Sequence, residues 1–268
     1  MRAISIVAVN VFRESVRDRV LYNLVIFALL LIGASYVLGQ LTAGQDVKII
    51  KDLGLAATSL FGLFIAIFIG IGLVSKEVER RSIYALLAKP VTRGQFIGGK
   101  YAGLALTLTV NVAAMTIGLY LVLGYMGWTE TAAMKASWEA PAADPALLKA
   151  IVLITIELML VTAIALFFST FSTPILSAAL TFGLYIAGRF NADLKNLDQV
   201  VTSRTTIWIA RAVYHVLPDF SAFDVKTEVV HGLPVAPGYV AATAAYGALY
   251  IVALLVCATL IFSRRDFK

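Results

Sequence analysis

A glycine-rich pattern of the kind that binds nucleotide phosphates is the first stretch that could carry chemistry. Residues Gly94 to Lys100 read G-x-x-x-x-G-K, the beginning of a phosphate-binding loop. The complete pattern continues with Ser or Thr, whose hydroxyl holds the magnesium ion, and it follows a β-strand. Here Tyr101 occupies that position, and no strand pattern precedes the loop. We therefore expect no nucleotide binding, and any ATP hydrolysis must belong to a separate chain.

Metal and nucleophile chemistry find equally little support in the sequence. His215 and His231 stand sixteen positions apart, with no Cys or further His at the spacing of metal ligands. The single cysteine, Cys257, rules out an intramolecular disulfide. No Ser–His–Asp set or pair of catalytic carboxylates stands out. We expect two loop histidines, no metal, no cofactor and no enzyme activity.

One carboxylate lies where a charge is costly. Glu157 sits in the middle of a long apolar run, where insertion of a carboxylate into a bilayer costs roughly 2.5–3.5 kcal/mol. It should therefore face other helices or a cavity rather than lipid. Two interpretations stay open: a residue of a substrate path or gate, or a protonated side chain hydrogen-bonded to a neighbouring helix. Asn111, midway along another apolar run, is a candidate partner.

The composition indicates a membrane protein. Of the 268 residues, 60% are hydrophobic and only 14% are charged, whereas soluble domains carry about 25% charged residues. The net charge of +6 comes from basic residues that flank apolar runs, an arrangement favoured by anionic lipid. We therefore expect a lipid bilayer as partner and no nucleic acid.

Apolar runs of about 20 residues can cross the hydrocarbon core of a bilayer, and they divide this chain into one transmembrane domain over residues 1–268. The fold class predicted is an all-α integral membrane protein with six spans. Their approximate bounds are 20–39, 53–74, 101–123, 148–168, 175–187 and 238–262.

Three further features surround these spans. Residues Arg2 to Arg19 form an amphipathic pattern that predicts a helix in the plane of the interface. Lys48 and Lys51 lie in a short loop predicted near residues 40–52. In the second span Gly62, Ala66 and Gly70 form a stripe of small residues, which lets helices pack closely.

A densely charged segment, Ser75 to Lys100, separates the second and third spans. Loops rich in Lys and Arg face the cytoplasm, and both termini are also basic, so six spans place both termini there. Pro90 should end a short charged helix, and Thr92 should cap the next one. The residues predicted to meet a soluble partner are Lys76, Glu77, Glu79, Arg80, Arg81, Pro90 and Arg93.

This segment resembles that of the type 2 ATP-binding cassette (ABC) permeases. The similarity rests on Glu77 and Glu79, on the run Lys89-Pro90-Val91-Thr92-Arg93 and on Gly98-Gly99-Lys100. Two later runs, Leu217 to Phe220 and Phe262 to Phe267, are similar to the NosY-like branch associated with maturation of multi-copper enzymes.

The resemblance implies an exporter-like permease subunit in the bacterial inner membrane. It implies a second permease copy, most simply a homodimer, and two copies of a separate ATPase that dock on a cytoplasmic coupling helix. It also implies external or re-entrant helices within residues 188–237, between spans five and six. A mechanical transmitter that acts on a periplasmic partner without moving a substrate is the alternative. A secondary carrier would show inverted repeats, and none is visible.

Overall fold

The structure, a computed structural model, describes residues 2–41, 46–79, 92–191 and 217–264. Every regular element in these ranges is helical, as the sequence predicts. The elements are α1 (Arg2–Ser15), α2 (Arg19–Gln40), α3 (Asp46–Glu79), α4 (Arg93–Thr129), α5 (Ala132–Ala136), α6 (Leu147–Ser169), α7 (Pro174–Arg189), a 3-10 turn (Ser221–Phe223), α8 (Lys226–Val230) and α9 (Pro237–Arg264).

Five of these helices are long and apolar enough to cross a membrane: α2, α3 over Asp46–Ile71, α4, α6 and α9 over Pro237–Ser263. Each contains one of the predicted spans. The remaining predicted span, 175–187, corresponds to α7, which has 16 residues. At 1.5 Å per residue that is about 24 Å, less than the roughly 30 Å of a hydrocarbon core.

Local capping signals explain where several helices begin. Thr92 caps α4 as predicted: its hydroxyl accepts from the Gln95 amide, and the Gln95 side chain accepts from the Thr92 amide. This reciprocal pair satisfies amides that a helix leaves free in its first turn. Asp18 caps α2 in a similar way by accepting from the Val20 amide. Pro174 occupies the first turn of α7, where its missing N–H costs nothing.

Helix α4 begins at Arg93, directly after the predicted cap and ahead of the span placed from residue 101. One predicted boundary, that of the loop before α3, was wrong. The loop near 40–52 is shorter than predicted, because α3 begins at Asp46 and takes Lys48 and Lys51 into its first turns. Apolar runs mark where a helix meets hydrocarbon, and a helix can continue past that boundary.

The small-residue stripe of α3 packs against α6, as such stripes do. A Cβ on Gly62 would lie 2.4 Å from Leu158 Cδ1, and one on Gly70 would lie 2.5 Å from the Ala165 Cβ. Ala66 between them is fully buried. Only residues without a larger side chain allow this approach.

The N-terminal helix α1 packs along the first turns of α4. A Cβ on Gly99 would lie 2.8 Å from the Val7 Cβ, and one on Gly103 would lie 2.6 Å from the Ala8 carbonyl oxygen. Val11 of α1 is buried. The predicted amphipathic helix is therefore present, with part of its apolar face covered by protein.

Both described ends of the chain lie at one end of the bundle. Arg93 at the start of α4 contacts Phe262 near the end of α9, while α1 lies beside Gly99 and Gly103 of the same helix. We call this the basic end, because the described parts of the charged segment 75–100, the last turns of α3 and the first turns of α4, lie here. The opposite end carries α5, α8 and the loops around them.

Candidate functional site

The residues predicted to meet a soluble partner gather at the basic end as far as they are described. Lys76, Glu77 and Glu79 lie in the last turns of α3. Arg93 is the first residue of α4. Three of the predicted residues lie outside the described part of the chain: Arg80, Arg81 and Pro90.

Arg93 joins the start of α4 to the end of α9. Its Nη1 donates to the carbonyl oxygens of Phe262, at 2.6 Å, and Ser263, at 2.9 Å. The last carbonyls of a helix have no partner within the helix, and a cation there is favourable. The Phe262 ring also stacks on Phe96, with centroids 5.9 Å apart. Arg93 thus has a structural role that the sequence prediction did not foresee.

The glycine-rich pattern from Gly94 to Lys100 does not form a phosphate-binding loop. Residues Gly94 to Lys100 lie inside α4, where amides bond to the preceding turn instead of cradling phosphates. The Lys100 side chain is 1% exposed, and its Nζ lies 4.8 Å from the centre of the Phe96 ring. This segment is therefore a packed helix and not a nucleotide-binding loop.

Glu157 is buried against protein, as predicted. It is 1% exposed, and its Oε1 accepts a hydrogen bond of 2.7 Å from Nη2 of Arg189, the last residue of α7. Nη1 of Arg189 donates at 2.8 Å to Oδ2 of Asp224. The Tyr185 hydroxyl also accepts from Arg189, at 3.0 Å from Nη2. One guanidinium therefore connects α6, α7 and the segment before α8.

The predicted partner of Glu157 was wrong. Within the described residues, neither Glu157 Oε2 nor Asn111 Nδ2 has a hydrogen-bond partner, so the two side chains do not bond to each other. Glu157 is hydrogen-bonded to the neighbouring helix α7, and the donor is the cation of Arg189. Asn111 is half-buried in α4.

Sequence reasoning missed Arg189, although a signal was present. Helices α6 and α7 are joined by a four-residue turn, 170–173, which makes them antiparallel neighbours. Glu157 lies twelve residues before Ser169, and Arg189 lies fifteen after Pro174. At 1.5 Å per residue these are about 18 Å and 22 Å from the turn. Counting outwards from the turn would have paired them.

The segment 217–225 is seated deep between helices. Phe220 and Phe223 are fully buried, and the Phe220 amide donates to the Gly188 carbonyl at 3.1 Å. A Cβ on Gly188 would lie 2.6 Å from the Pro218 carbonyl oxygen, so glycine permits this contact. A Cβ on Gly247 would lie 3.2 Å from the Phe223 ring. Gly247 is ten residues into α9, about 15 Å from its start.

Metal ligands do not gather in the described part of the chain, where no group of three His, Cys, Asp or Glu side chains is placed to hold an ion. His231 is exposed, and its Nδ1 lies 2.9 Å from the Thr227 carbonyl oxygen. His215 lies outside the described residues.

Long apolar helices, close glycine packing and a buried ion pair between two of the helices define a multi-pass α-helical membrane protein. Comparison with protein families identifies it further. The family described as "ABC-2 family transporter protein" matches residues 6–267, and the chain belongs to this family. Membrane proteins of this family work with ATP-binding subunits. A search of curated proteins finds no match.

Proposed function

We propose that this chain is the membrane-spanning permease subunit of a type 2, exporter-like ABC transporter of the bacterial inner membrane. It works as a homodimer with two copies of a separate ATPase and moves a substrate across the membrane. The family match over residues 6–267 is the observation that carries the proposal. Five long apolar helices supply the membrane domain that such a subunit needs.

Six crossings, with both termini in the cytoplasm, fit the geometry of the bundle best. An odd number of crossings would put the ends of the chain on opposite sides, whereas α1 and the end of α9 both lie beside the first turns of α4. The sixth crossing is then α7. Because the 16 residues of α7 are too few to cross the hydrocarbon core, the buried segment 217–225 would cover the remaining thickness as a re-entrant piece.

The segment 76–93 is the proposed docking site for the ATPase. It begins in the last turns of α3 and ends at the first residue of α4, and Arg93 bonds to the end of α9. A displacement of this segment on ATP binding would therefore act on three helices at once. Charged residues such as Glu77 and Glu79 would set the orientation and rate of docking.

The Glu157–Arg189 pair is the proposed gate. Moving α6 away from α7 would separate two charges that lie 2.7 Å apart in a largely buried place. A buried charge left without its partner is unfavourable by about 3–5 kcal/mol, so the opened arrangement must supply Glu157 with another partner, such as a substrate group or water. Glu157 and the half-buried Asn111 are the polar groups proposed for the path.

A mechanical transmitter acting on a periplasmic partner is the second candidate. The contact of Arg189 with both Glu157 and Asp224 favours it, because it links the middle of α6 to the segment before α8 on the proposed periplasmic side. The similarity of Leu217 to Phe220 to the NosY-like branch points the same way. In this version the periplasmic partner receives the motion of α6 through residues 217–230.

Co-purification with an ATPase tests the proposal. The chain would be expressed with the ATPase encoded beside its gene, and the complex would be reconstituted in nanodiscs. We expect a stable complex with two copies of each chain and an ATPase rate that depends on the permease. Failure of every neighbouring ATPase to bind would overturn the proposal. ATP-dependent capture of a periplasmic protein, without substrate uptake into inverted vesicles, would favour the mechanical version.

A further inference from the structure

Lys51 is a buried cation that the proposed function does not use. It lies five residues into α3 and is 0% exposed, and its Nζ has no hydrogen-bond partner among the described residues. An ammonium group has three donors, and a buried charge is costly unless it is paired and hydrogen-bonded. The described part of the fold supplies no acceptor for it.

A cavity lies beside this side chain at the opposite end of the bundle. Its volume is about 140 Å³, enough for several water molecules or for one small polar group. Lys48 and Lys51 line it from α3, and Trp138, Glu139 and Ala140 line it from the loop after α5.

The other charged groups around the cavity already have partners. Lys48 Nζ donates to Glu139 Oε1 at 2.6 Å, and this hydrogen bond holds the pKa of Glu139 below its ordinary value. Asp144, which does not line the cavity, interacts electrostatically with Lys51, and its Oδ1 accepts from the Ala146 amide. None of these groups accepts a hydrogen bond from Lys51 Nζ within the described residues.

We propose that this cavity binds an oxyanion, a phosphate or carboxylate group, whose oxygens accept hydrogen bonds from Lys51 Nζ. The Trp138 ring forms a wall of the site, and the Lys48–Glu139 pair closes its rim. The group comes either from a free anion or from the headgroup of an anionic lipid, because Lys51 lies just before the predicted span 53–74, where the hydrocarbon core ends and the lipid headgroups begin.

Fluorescence of Trp138 provides a direct readout. With Trp128→Phe and Trp208→Phe in the full-length chain, Trp138 is the remaining indole. One arm titrates inorganic phosphate into protein in neutral detergent, against sodium chloride at equal ionic strength. The other arm compares nanodiscs of pure phosphatidylcholine with nanodiscs that contain phosphatidylglycerol.

A saturable change in Trp138 fluorescence is expected in at least one arm. A response to phosphate identifies a free-anion site, and a response to phosphatidylglycerol alone identifies a headgroup site. Lys51→Met should weaken the apparent affinity at least tenfold, because a hydrogen bond to a charged group is lost. Lys135→Met, an exposed cation on α5, should leave it unchanged.

Two results would overturn the site. One is the absence of a saturable response in both arms, which would mean that the cavity holds only water. The other is an equal response in Lys51→Met. If Lys51→Met does not fold, Ala140→Leu tests the site from the loop after α5, because the larger side chain fills the cavity while Lys51 is kept. This variant should abolish the fluorescence response. An unaltered response would contradict the site.

Discussion

Nη2 of Arg189, at the end of α7, lies 2.7 Å from Oε1 of Glu157, ten residues into α6. The two residues are 32 positions apart in sequence, and the turn at 170–173 brings them to similar depth. The carboxylate is buried while the Arg189 side chain is 22% exposed. The cation thus shields a charge that could not otherwise remain inside the bundle.

Substitution of Arg189 should destabilise the protein more than substitution of Glu157. Arg189→Met leaves the Glu157 carboxylate buried and unpaired, so we expect it to lower the free energy of unfolding by about 3 kcal/mol. Glu157→Gln keeps an acceptor for Arg189 and should cost about 1 kcal/mol. Denaturant unfolding in one detergent measures both.

Lys226→Met is the control for this comparison. Lys226 Nζ lies 3.6 Å from Oδ2 of Asp224, and such a partly exposed pair contributes at most about 1 kcal/mol. Equal costs for Arg189→Met and Glu157→Gln would show that the pair does not act as described.

Gly70→Ala should destabilise the bundle more than Gly62→Ala. The new Cβ at position 70 would lie 2.5 Å from the Ala165 Cβ, which cannot rotate away, whereas the one at position 62 would meet the end of the flexible Leu158 side chain. Overpacking of this kind costs about 1–3 kcal/mol. Melting temperatures in a single detergent provide the comparison.

Gly33→Ala is the matched control, since a Cβ there meets nothing within 4 Å. It should be neutral or stabilise by up to about 1 kcal/mol, because alanine is the better helix former. A melting temperature for Gly70→Ala at or above that of the unmodified chain would refute the close packing of α3 on α6.

Arg93→Gln should loosen the end of α9. It removes two charge-assisted hydrogen bonds to the carbonyls of Phe262 and Ser263, so amide hydrogen exchange in the last turns of α9 should rise at least tenfold. Arg93→Lys keeps the positive charge but loses the planar guanidinium group, so its exchange rate should lie between those of the unmodified chain and Arg93→Gln. Unchanged exchange together with lost ATPase binding would make Arg93 a docking residue instead.

Cysteine accessibility tests the proposed topology. In a Cys257→Ser background, a cysteine at Gly94 should be shielded from impermeant thiol reagents in spheroplasts, and one at Lys135 should react. Both positions are exposed, and a Cβ on Gly94 meets its nearest atom, in Thr259, at an ordinary 3.5 Å. The reverse labelling pattern would exclude cytoplasmic termini.

The sequence predicted features that depend on residues close together in the chain, but not contacts between residues far apart in the chain. The apolar runs and the cap at Thr92 are local signals: five of the six predicted spans lie in long apolar helices, and the cap was predicted correctly. The bond from Arg93 to Phe262 and the burial of Lys51 depend on contacts between distant segments, and a cation near the end of an apolar run is ordinarily expected to reach solvent. Glu157 falls between these cases: its burial followed from insertion cost, but its partner required the geometry of the α6–α7 hairpin.

The segment 76–93 is proposed to couple an ATPase to this membrane domain, and the coupled ATPase rate tests this role most directly. The measurement compares the unmodified complex in nanodiscs with Glu77→Lys/Glu79→Lys and with Lys135→Glu. Lys135 is a suitable control because it is exposed on α5 at the opposite end of the bundle. Asp144 and Lys149 also lie at that end, but their side chains form hydrogen bonds: Lys149 Nζ donates to the Val235 carbonyl, and Asp144 caps the turn before α6.

We expect the double reversal to weaken co-purification of the ATPase or to reduce the permease-dependent rate at least tenfold, with the permease still folded by circular dichroism. Lys135→Glu should assemble and hydrolyse ATP like the unmodified complex. Normal assembly and an unchanged coupled rate in Glu77→Lys/Glu79→Lys would contradict the assignment of this segment as the coupling site.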